Sequence, residues 1–258
     1  MTLKNYLLIF GLIAVTAFTS CKKDEADEPS GADAPKITIN GKSSGNIVDV
    51  PQNASSANNG QFNSAIGNVN QIGTFLTMLN SVPESAKATS RSTNSTVTYN
   101  WSATDANGSY EVWYTVEEDG NNYNITYEIA ISSADLTIPR TTYMSGWVAQ
   151  NGQNGHLVFN FDAFTDGETN FNYTYNWDTN SSGDLHVLAY WNVNSSYSDI
   201  VYEATVYSAG GGTSEYRYTD DETNIVWHYE WNADWSQITW TYTVNGTEDS
   251  SMSGQWPA

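Results

Sequence analysis

The sequence has a single cysteine, Cys21, in 258 residues. One thiol cannot form a disulfide within the chain, and zinc sites built mainly from thiolates are excluded for the same reason. Cys21 lies between an apolar segment and a charged cluster. Its position therefore needs an explanation as much as its rarity.

Positive charge is also scarce, because nine lysines and arginines stand against 29 aspartates and glutamates, for a formal net charge of −20. Beyond Ser92 the only basic side chains are Arg140 and Arg217. Binding to nucleic acid requires clustered lysines and arginines that neutralise phosphates, so a nucleic-acid partner is excluded, and anionic lipid headgroups are poor partners too. A strongly acidic chain is typical of proteins that stay soluble outside the cell.

Long hydrophobic runs are missing except for one near the start, over residues 6–18. Lys4 precedes this run, and small residues lie near its end. A basic residue followed by a short apolar segment is typical of a secretory signal peptide. The run has roughly 13 residues, whereas a membrane-spanning helix needs about 20. The segment therefore predicts export.

The four residues from Phe18 to Cys21 read Phe-Thr-Ser-Cys and resemble the lipobox of bacterial lipoproteins, with Phe18 in place of the usual leucine. In that family a peptidase cuts before the cysteine, which is then acylated. The resemblance implies that residues 1–20 are a signal peptide and that Cys21 carries a lipid anchor to a membrane. The alternative is an incidental free thiol beside an ordinary signal peptide.

Directly after the cysteine, Lys22, Lys23, Asp24 and Glu25 resemble the lysine-plus-acidic export signal of Bacteroidota surface lipoproteins. The resemblance implies a lipid-anchored outer-membrane protein displayed on the cell surface, with the periplasmic leaflet as the alternative. The composition of residues 21–60 is rich in Ser, Asn, Gly and acidic residues and predicts a disordered linker. Within it, the sequences KITING and NIVDVP allow one short hairpin.

Residues 61–82 have the periodicity of an amphipathic helix. Pro83 ends the segment, and Asn58 and Asn59 are suitable caps. The apolar stripe consists of Phe62, Ile66, Val69, Ile72 or Gly73, Phe75, Leu76 and Leu79. The opposite face carries no charge, which is unusual for a helix in open water. We therefore expect other parts of the protein to cover much of this helix.

From Ser95 onward the period changes to two, as in Tyr-Asn-Trp at residues 99–101 and Tyr-Thr-Tyr at 173–175. Such alternation is typical of strands buried on one face. Asn-Gly, Asp-Gly and Gly-Gly turn signals separate the runs, and no interval is long enough for a parallel crossover. The sequence predicts an all-β domain over residues 61–258. We expect a single antiparallel meander of about 11–12 strands, curled or forming an incomplete barrel around one N-terminal helix.

No catalytic, metal-binding or cofactor-binding set stands out. The three histidines are on the strand face opposite the aromatic row, so we expect their side chains to point outward. They are His156, His186 and His228. Strand carboxylates have the same parity, namely Glu111, Glu128, Asp162, Glu203 and Glu230. The acidic runs at residues 117–119 and 220–222 lie at hairpin ends, where acids are favoured in any case, and calcium binding there stays open.

Aromatic residues make up 14% of the chain, and most of them are needed as core. Two aromatic pairs, Trp113-Tyr114 and Tyr190-Trp191, must point to opposite faces because neighbours on a strand do so. Trp113 and Tyr190 are therefore candidate ligand-binding rings on the outside. We expect a non-catalytic binding role toward a glycan or an apolar small ligand. The alternatives are a structural or interaction lipoprotein without a small ligand, and a glycan hydrolase.

Overall fold

The computed structural model describes residues 36–39, 42, 45–50, 60–83, 85–91, 96–105, 108–134, 136–161, 171–193 and 199–257. Within these residues the chain forms one α-helix and fourteen β-strands. They are α1 (Gly60–Asn80), β1 (Lys87–Arg91), β2 (Thr96–Asp105), β3 (Gly108–Asp119), β4 (Asn122–Ser133), β5 (Thr137–Ala149), β6 (Asn154–Asn160), β7 (Phe171–Thr179), β8 (Leu185–Val193), β9 (Asp199–Val206), β10 (Gly212–Thr219), β11 (Asn224–Trp231), β12 (Ile238–Val244), β13 (Thr247–Glu248) and β14 (Gly254–Trp256).

The strands form one sheet in which each strand from β1 to β13 lies beside the next strand of the chain, and β14 returns to pair with β12. Among the described strands, β1 does not pair with the β12–β14 end, so the sheet is open. The predicted antiparallel meander with one N-terminal helix is confirmed. The strand count exceeds the prediction because β1 precedes the alternating region, and β13 and β14 have two and three residues, too few to show a period.

The two faces of the sheet differ in burial as the alternation predicts. On β3, Val112, Tyr114 and Val116 are buried, whereas Trp113 and Thr115 between them are half-buried. We call the buried side the inner face and the opposite side the outer face. Register shifts in the β4–β5 ladder mark irregular pairing near Glu128. The inner face and the helix together form the core.

Helix α1 packs against the inner face. All of the predicted stripe is buried, at 5% exposure or less: Phe62, Ile66, Val69, Ile72, Phe75, Leu76 and Leu79. The Phe75 ring lies 4.4 Å from the Phe159 ring and 5.4 Å from the Tyr175 ring, measured between centroids. The hydroxyl of Tyr175 donates to the backbone carbonyls of Asn68 and Val69. The helix is therefore fixed to the sheet by both apolar and polar contacts.

Residues 36–39 and 45–50, which we call the N-terminal strap, pack onto the helix. The Asn80 amide accepts from the Ile37 N–H (2.8 Å) and donates to the Ile37 carbonyl (2.7 Å). Asn70 makes the same pair of hydrogen bonds with Val48, at 2.8 and 3.0 Å. These bonds explain why the polar face of the helix lacks charge, since its Asn70 and Asn80 amides form hydrogen bonds with the strap backbone instead of with water. The packed domain therefore includes described residues of the segment 21–60, among which Ile37, Ile39, Ile47 and Val48 are buried.

The space between helix and sheet is filled by side chains. Where the helix crosses β8 and β9, the sheet presents the small residues Ala189 and Ala204, which let the helix approach. A cavity of about 10 Å³ remains there, close to the volume of one water probe. Burial raises the pKa of the inner tyrosines Tyr114 and Tyr143, so they stay neutral. In the part of the chain that the structure describes, no helix has both the length and the apolar character needed to cross a membrane.

Candidate binding groove

A groove of about 340 Å³ lies on the outer face at one end of strands β10, β11 and β12. Ligand sites for small molecules start at roughly this volume. Its floor is formed by Thr213, Glu230 and Thr239, which are directly opposite one another across the three strands. The turn between β9 and β10 and the turn between β11 and β12 rise on either side. The groove thus joins residues of three neighbouring strands and two turns, all between Tyr207 and Thr239.

The first wall is the β9–β10 turn, which presents Tyr207. This turn closes through hydrogen bonds from the Gly210 N–H to the Tyr207 carbonyl (2.9 Å) and from the Tyr207 N–H to the Gly211 carbonyl (3.1 Å). Gly210 and Gly211 have φ angles of +91° and +77°, which side chains disfavour. The tight turn leaves Tyr207 43% exposed, and it is one of two large apolar side chains this exposed among the described residues.

The second wall is the β11–β12 turn, which is tied to the core by ring contacts. The Asn232 amide accepts from the Gln237 N–H (3.0 Å) and donates to Ser236 Oγ (2.8 Å). Trp235 stacks on the buried Trp231 at 5.7 Å. Trp231 in turn lies 6.0 Å from Phe62 near the start of α1. Since Asn232 is used inside the turn, Gln237, Glu230 and the two threonines supply the polar groups of the groove.

A row of charged side chains runs along the outer face from the groove across five strands. Its members are Glu230, His228, Glu215, Arg217, Glu203, His186 and Asp178. Arg217 pairs with both Glu203 and Glu215, which stand opposite each other on β9 and β10. His228 Nε2 is 3.3 Å from Glu230 Oε1. We call this set the charge row.

His186 lies between two carboxylates of the charge row. Its Nε2 lies 3.0 Å from Glu203 and its Nδ1 3.2 Å from Asp178. Burial alone would lower the pKa of His186, but the hydrogen bonds to the two carboxylates and their charges outweigh burial, so the pKa is raised. The protonated imidazole then donates to both carboxylates. The outward parity predicted for His156, His186 and His228 is confirmed, and each has a polar partner.

Neither of the rings singled out from the sequence lines the groove. Trp113 is on the outer face as expected, but the Arg140 guanidinium lies 4.3 Å above its ring centroid. Arg140 is held there by two hydrogen bonds to Glu128, at 3.1 and 2.5 Å. Tyr190 also faces outward, beside Thr174, which is only 3% exposed. Tyr207 was missed, although its place directly before a Gly-rich turn is a usable signal for an exposed ring.

The carboxylates of the charge row are arranged for ion pairing. A general acid needs a carboxyl whose ionisation is disfavoured by burial or by a like charge, whereas Arg217 lies between Glu203 and Glu215. Among the residues that the structure describes, no three His, Cys, Asp or Glu side chains converge as a metal site requires. At the hairpin end considered for calcium, Asp220 accepts from the backbone N–H groups of Glu222 and Thr223, which lower its pKa.

The remaining predicted positions are Cys21, the export signal Lys22, Lys23, Asp24 and Glu25, the helix caps Asn58 and Asn59, and the strand carboxylate Asp162. All of them lie outside the described residues. Comparison with known proteins finds no matching family model, no matching curated protein and no matching solved structure. The groove and the charge row are therefore interpreted from their own chemistry.

Proposed function

We propose that this protein is a lipid-anchored cell-envelope protein that binds a glycan in the outer-face groove without catalysing a reaction. The observation that carries this proposal is the combination of an exposed ring, Tyr207, with a polar floor of Thr213, Glu230 and Thr239 in a groove of about 340 Å³. Gln237 adds an amide from the opposite wall. No enzyme cofactor is needed for such a role.

A sugar ring suits this arrangement. The C–H face of a pyranose packs on an aromatic ring, while its hydroxyls need donors and acceptors within hydrogen-bonding distance. Glu230 offers acceptors only, Gln237 offers both kinds, and the threonine hydroxyls can act as either. A flat, hydroxyl-bearing ligand matches all of these groups at once.

Other ligand classes fit less well. The apolar ligand considered from the sequence would need an internal cavity, and the cavity where the helix crosses β8 and β9 is about 10 Å³. Glycan hydrolysis needs two carboxyl groups on either side of the bond, and Glu230 is the one carboxylate among the residues lining the groove. These facts favour binding of a sugar chain over both alternatives.

Glycan binding is tested by replacing the exposed ring. Tyr207→Ala should weaken binding by about two- to tenfold, because ring stacking contributes roughly 0.5–1.5 kcal/mol. Tyr207→Phe keeps the ring and should bind like wild type. Binding is measured on a glycan array and quantified by calorimetry, with thermal melts confirming that both variants fold. Absence of glycan binding by the wild-type protein, or equal binding by the alanine variant, would refute the proposal.

The anchor is the second part of the proposal and rests on the sequence around Cys21. Fourteen residues lie between Cys21 and Lys36 of the strap, and a chain of this length spans at most about 50 Å. Such a tether allows the groove to stand away from a membrane surface. The proposed location is the outer membrane, facing the cell exterior, with Lys22, Lys23, Asp24 and Glu25 as the export signal.

Cys21→Ala should abolish acylation and move the protein from the membrane to the soluble fraction, since each buried CH₂ of an acyl chain contributes about 0.8 kcal/mol. Labelled fatty acid and cell fractionation measure this. Protease added to intact cells should degrade the wild-type protein, and alanines at Lys23, Asp24 and Glu25 should protect it, whereas Asp33→Ala should not. Continued labelling of Cys21→Ala would rule out the anchor, and equal protection of all variants would place the protein inside.

A further inference from the structure

We propose that the groove selects saccharides by charge, accepting uncharged sugars and rejecting uronic-acid and sulfated ones, and that Glu230 is the residue that determines this specificity. The inference rests on the proposed glycan-binding function and adds the class of glycan. It follows from which charges lie at the groove and which are already paired.

The groove itself contains negative charge and no positive charge. Among its lining residues, Glu230 is charged and the others are aromatic, amide, hydroxyl or glycine. The Glu230 side chain is 64% exposed, so its carboxylate is accessible to a ligand on the floor between Thr213 and Thr239. An acidic sugar bound in this groove would meet a like charge without a lysine or arginine to compensate.

The neighbouring cations do not cancel Glu230, because other carboxylates share them. His228 is 3.3 Å from Glu230 but also 3.6 Å from Glu215, so two carboxylates share the one imidazole. Arg217, the one arginine of the charge row, pairs with Glu215 and Glu203. The row therefore has four carboxylates against one guanidinium and two imidazoles, and negative charge remains in excess.

The same carboxylate can attract one class of ligand and repel the other. A sugar hydroxyl donates to a carboxylate in a charge-assisted hydrogen bond, which is stronger than a neutral one. A uronic acid places its own carboxylate at a position where a neutral sugar has a CH₂OH group. At a separation of about 4 Å, even water-like screening makes this repulsion worth about fivefold in affinity. Discrimination then comes from an unfavourable contact with the wrong ligand as well as a favourable one with the right ligand.

The test uses three pairs of hexasaccharides that differ in oxidation at C6: galactose and galacturonic acid, mannose and mannuronic acid, glucose and glucuronic acid. The wild-type protein should bind each neutral sugar at least about fivefold more tightly than its acidic counterpart. Glu230→Gln should reduce that ratio toward unity, and Glu230→Lys should reverse it. Glu248→Gln removes an equal charge from β13, away from the groove, and should leave the ratio unchanged.

Ionic strength gives a readout that a merely structural role of Glu230 would not change. In about 1 M NaCl, where the screening length is about 3 Å, the wild-type ratio should fall toward that of Glu230→Gln. Acidic members that bind as tightly as neutral ones, or a ratio that Glu230→Gln leaves intact, would overturn the inference. Binding to none of the six sugars would overturn it as well. The glycan-binding proposal is judged separately, by the broader array and the Tyr207 variants.

Discussion

Replacing Phe75 with alanine is expected to lower the free energy of unfolding by about 3–5 kcal/mol, the range for truncating a buried phenylalanine. Phe75 is 5% exposed and lies within 4.4 Å of the Phe159 ring and 5.4 Å of the Tyr175 ring. Truncation removes these contacts and leaves a cavity between helix α1 and the inner face of the sheet. For a domain of this size the melting temperature should fall by about 6–20 °C.

The control is the neighbouring helix position, Thr74, which is exposed. Thr74→Ala should change stability by about 0.5 kcal/mol or less. Circular dichroism melts and urea titrations of the two variants measure the difference. If Phe75→Ala melts at the temperature of wild type, the helix does not form part of the core and the packing described for α1 is wrong.

The second large effect concerns two helix glycines that should respond in opposite directions. Glycine to alanine inside a helix usually stabilises by about 1 kcal/mol because alanine has the higher helix propensity. Gly67 follows this rule, since a Cβ there would meet no heavy atom within 4 Å. At Gly73, however, a Cβ would lie 1.7 Å from the carbonyl oxygen of Gly45 in the strap. That contact is with backbone, so the strap itself would have to move.

Gly73→Ala is therefore expected to destabilise the protein by about 1–3 kcal/mol, as overpacking does, and Gly67→Ala to stabilise it by up to about 1 kcal/mol. Urea denaturation measures both changes. Limited proteolysis should also cut the strap faster in Gly73→Ala, because the hydrogen bonds between Asn70 and Val48 would be disturbed. Stabilisation by both substitutions would mean that the strap does not lie on the helix.

The sequence predicts the elements of this fold well because burial follows a simple period. The helix stripe from Phe62 to Leu79 and the alternation on β3 both report which side faces the core. The strap is a different case, since Ile37, Ile39, Ile47 and Val48 lie in a polar segment without a sustained period. Its attachment depends on two asparagine side chains of the helix, and nothing local to residues 36–50 encodes those partners.

The binding groove could not be predicted because it depends on register between strands. Parity alone places Glu230 on the outer face, but only the pairings of β10, β11 and β12 bring it between Thr213 and Thr239. Parity likewise places Trp113 outside, while its cover, Arg140, comes from β5, two strands away. Contacts that cross strands in this way have no signature within any one strand.

The order of elements along the chain has a kinetic consequence. Each strand pairs with its predecessor, so the ladder can grow hairpin by hairpin through local, rapidly formed contacts. The helix is an exception, because its contacts with the sheet are distant in sequence. Asn68 accepts hydrogen bonds from the hydroxyls of Tyr173 and Tyr175, which follow it by 105 and 107 residues. In a chain that emerges from its N-terminus, α1 is complete before any strand exists to bury its apolar stripe. The helix is thus the segment with most to gain from a chaperone during folding, and its exposure ends only when β11 brings Tyr229 and Trp231 against Phe62.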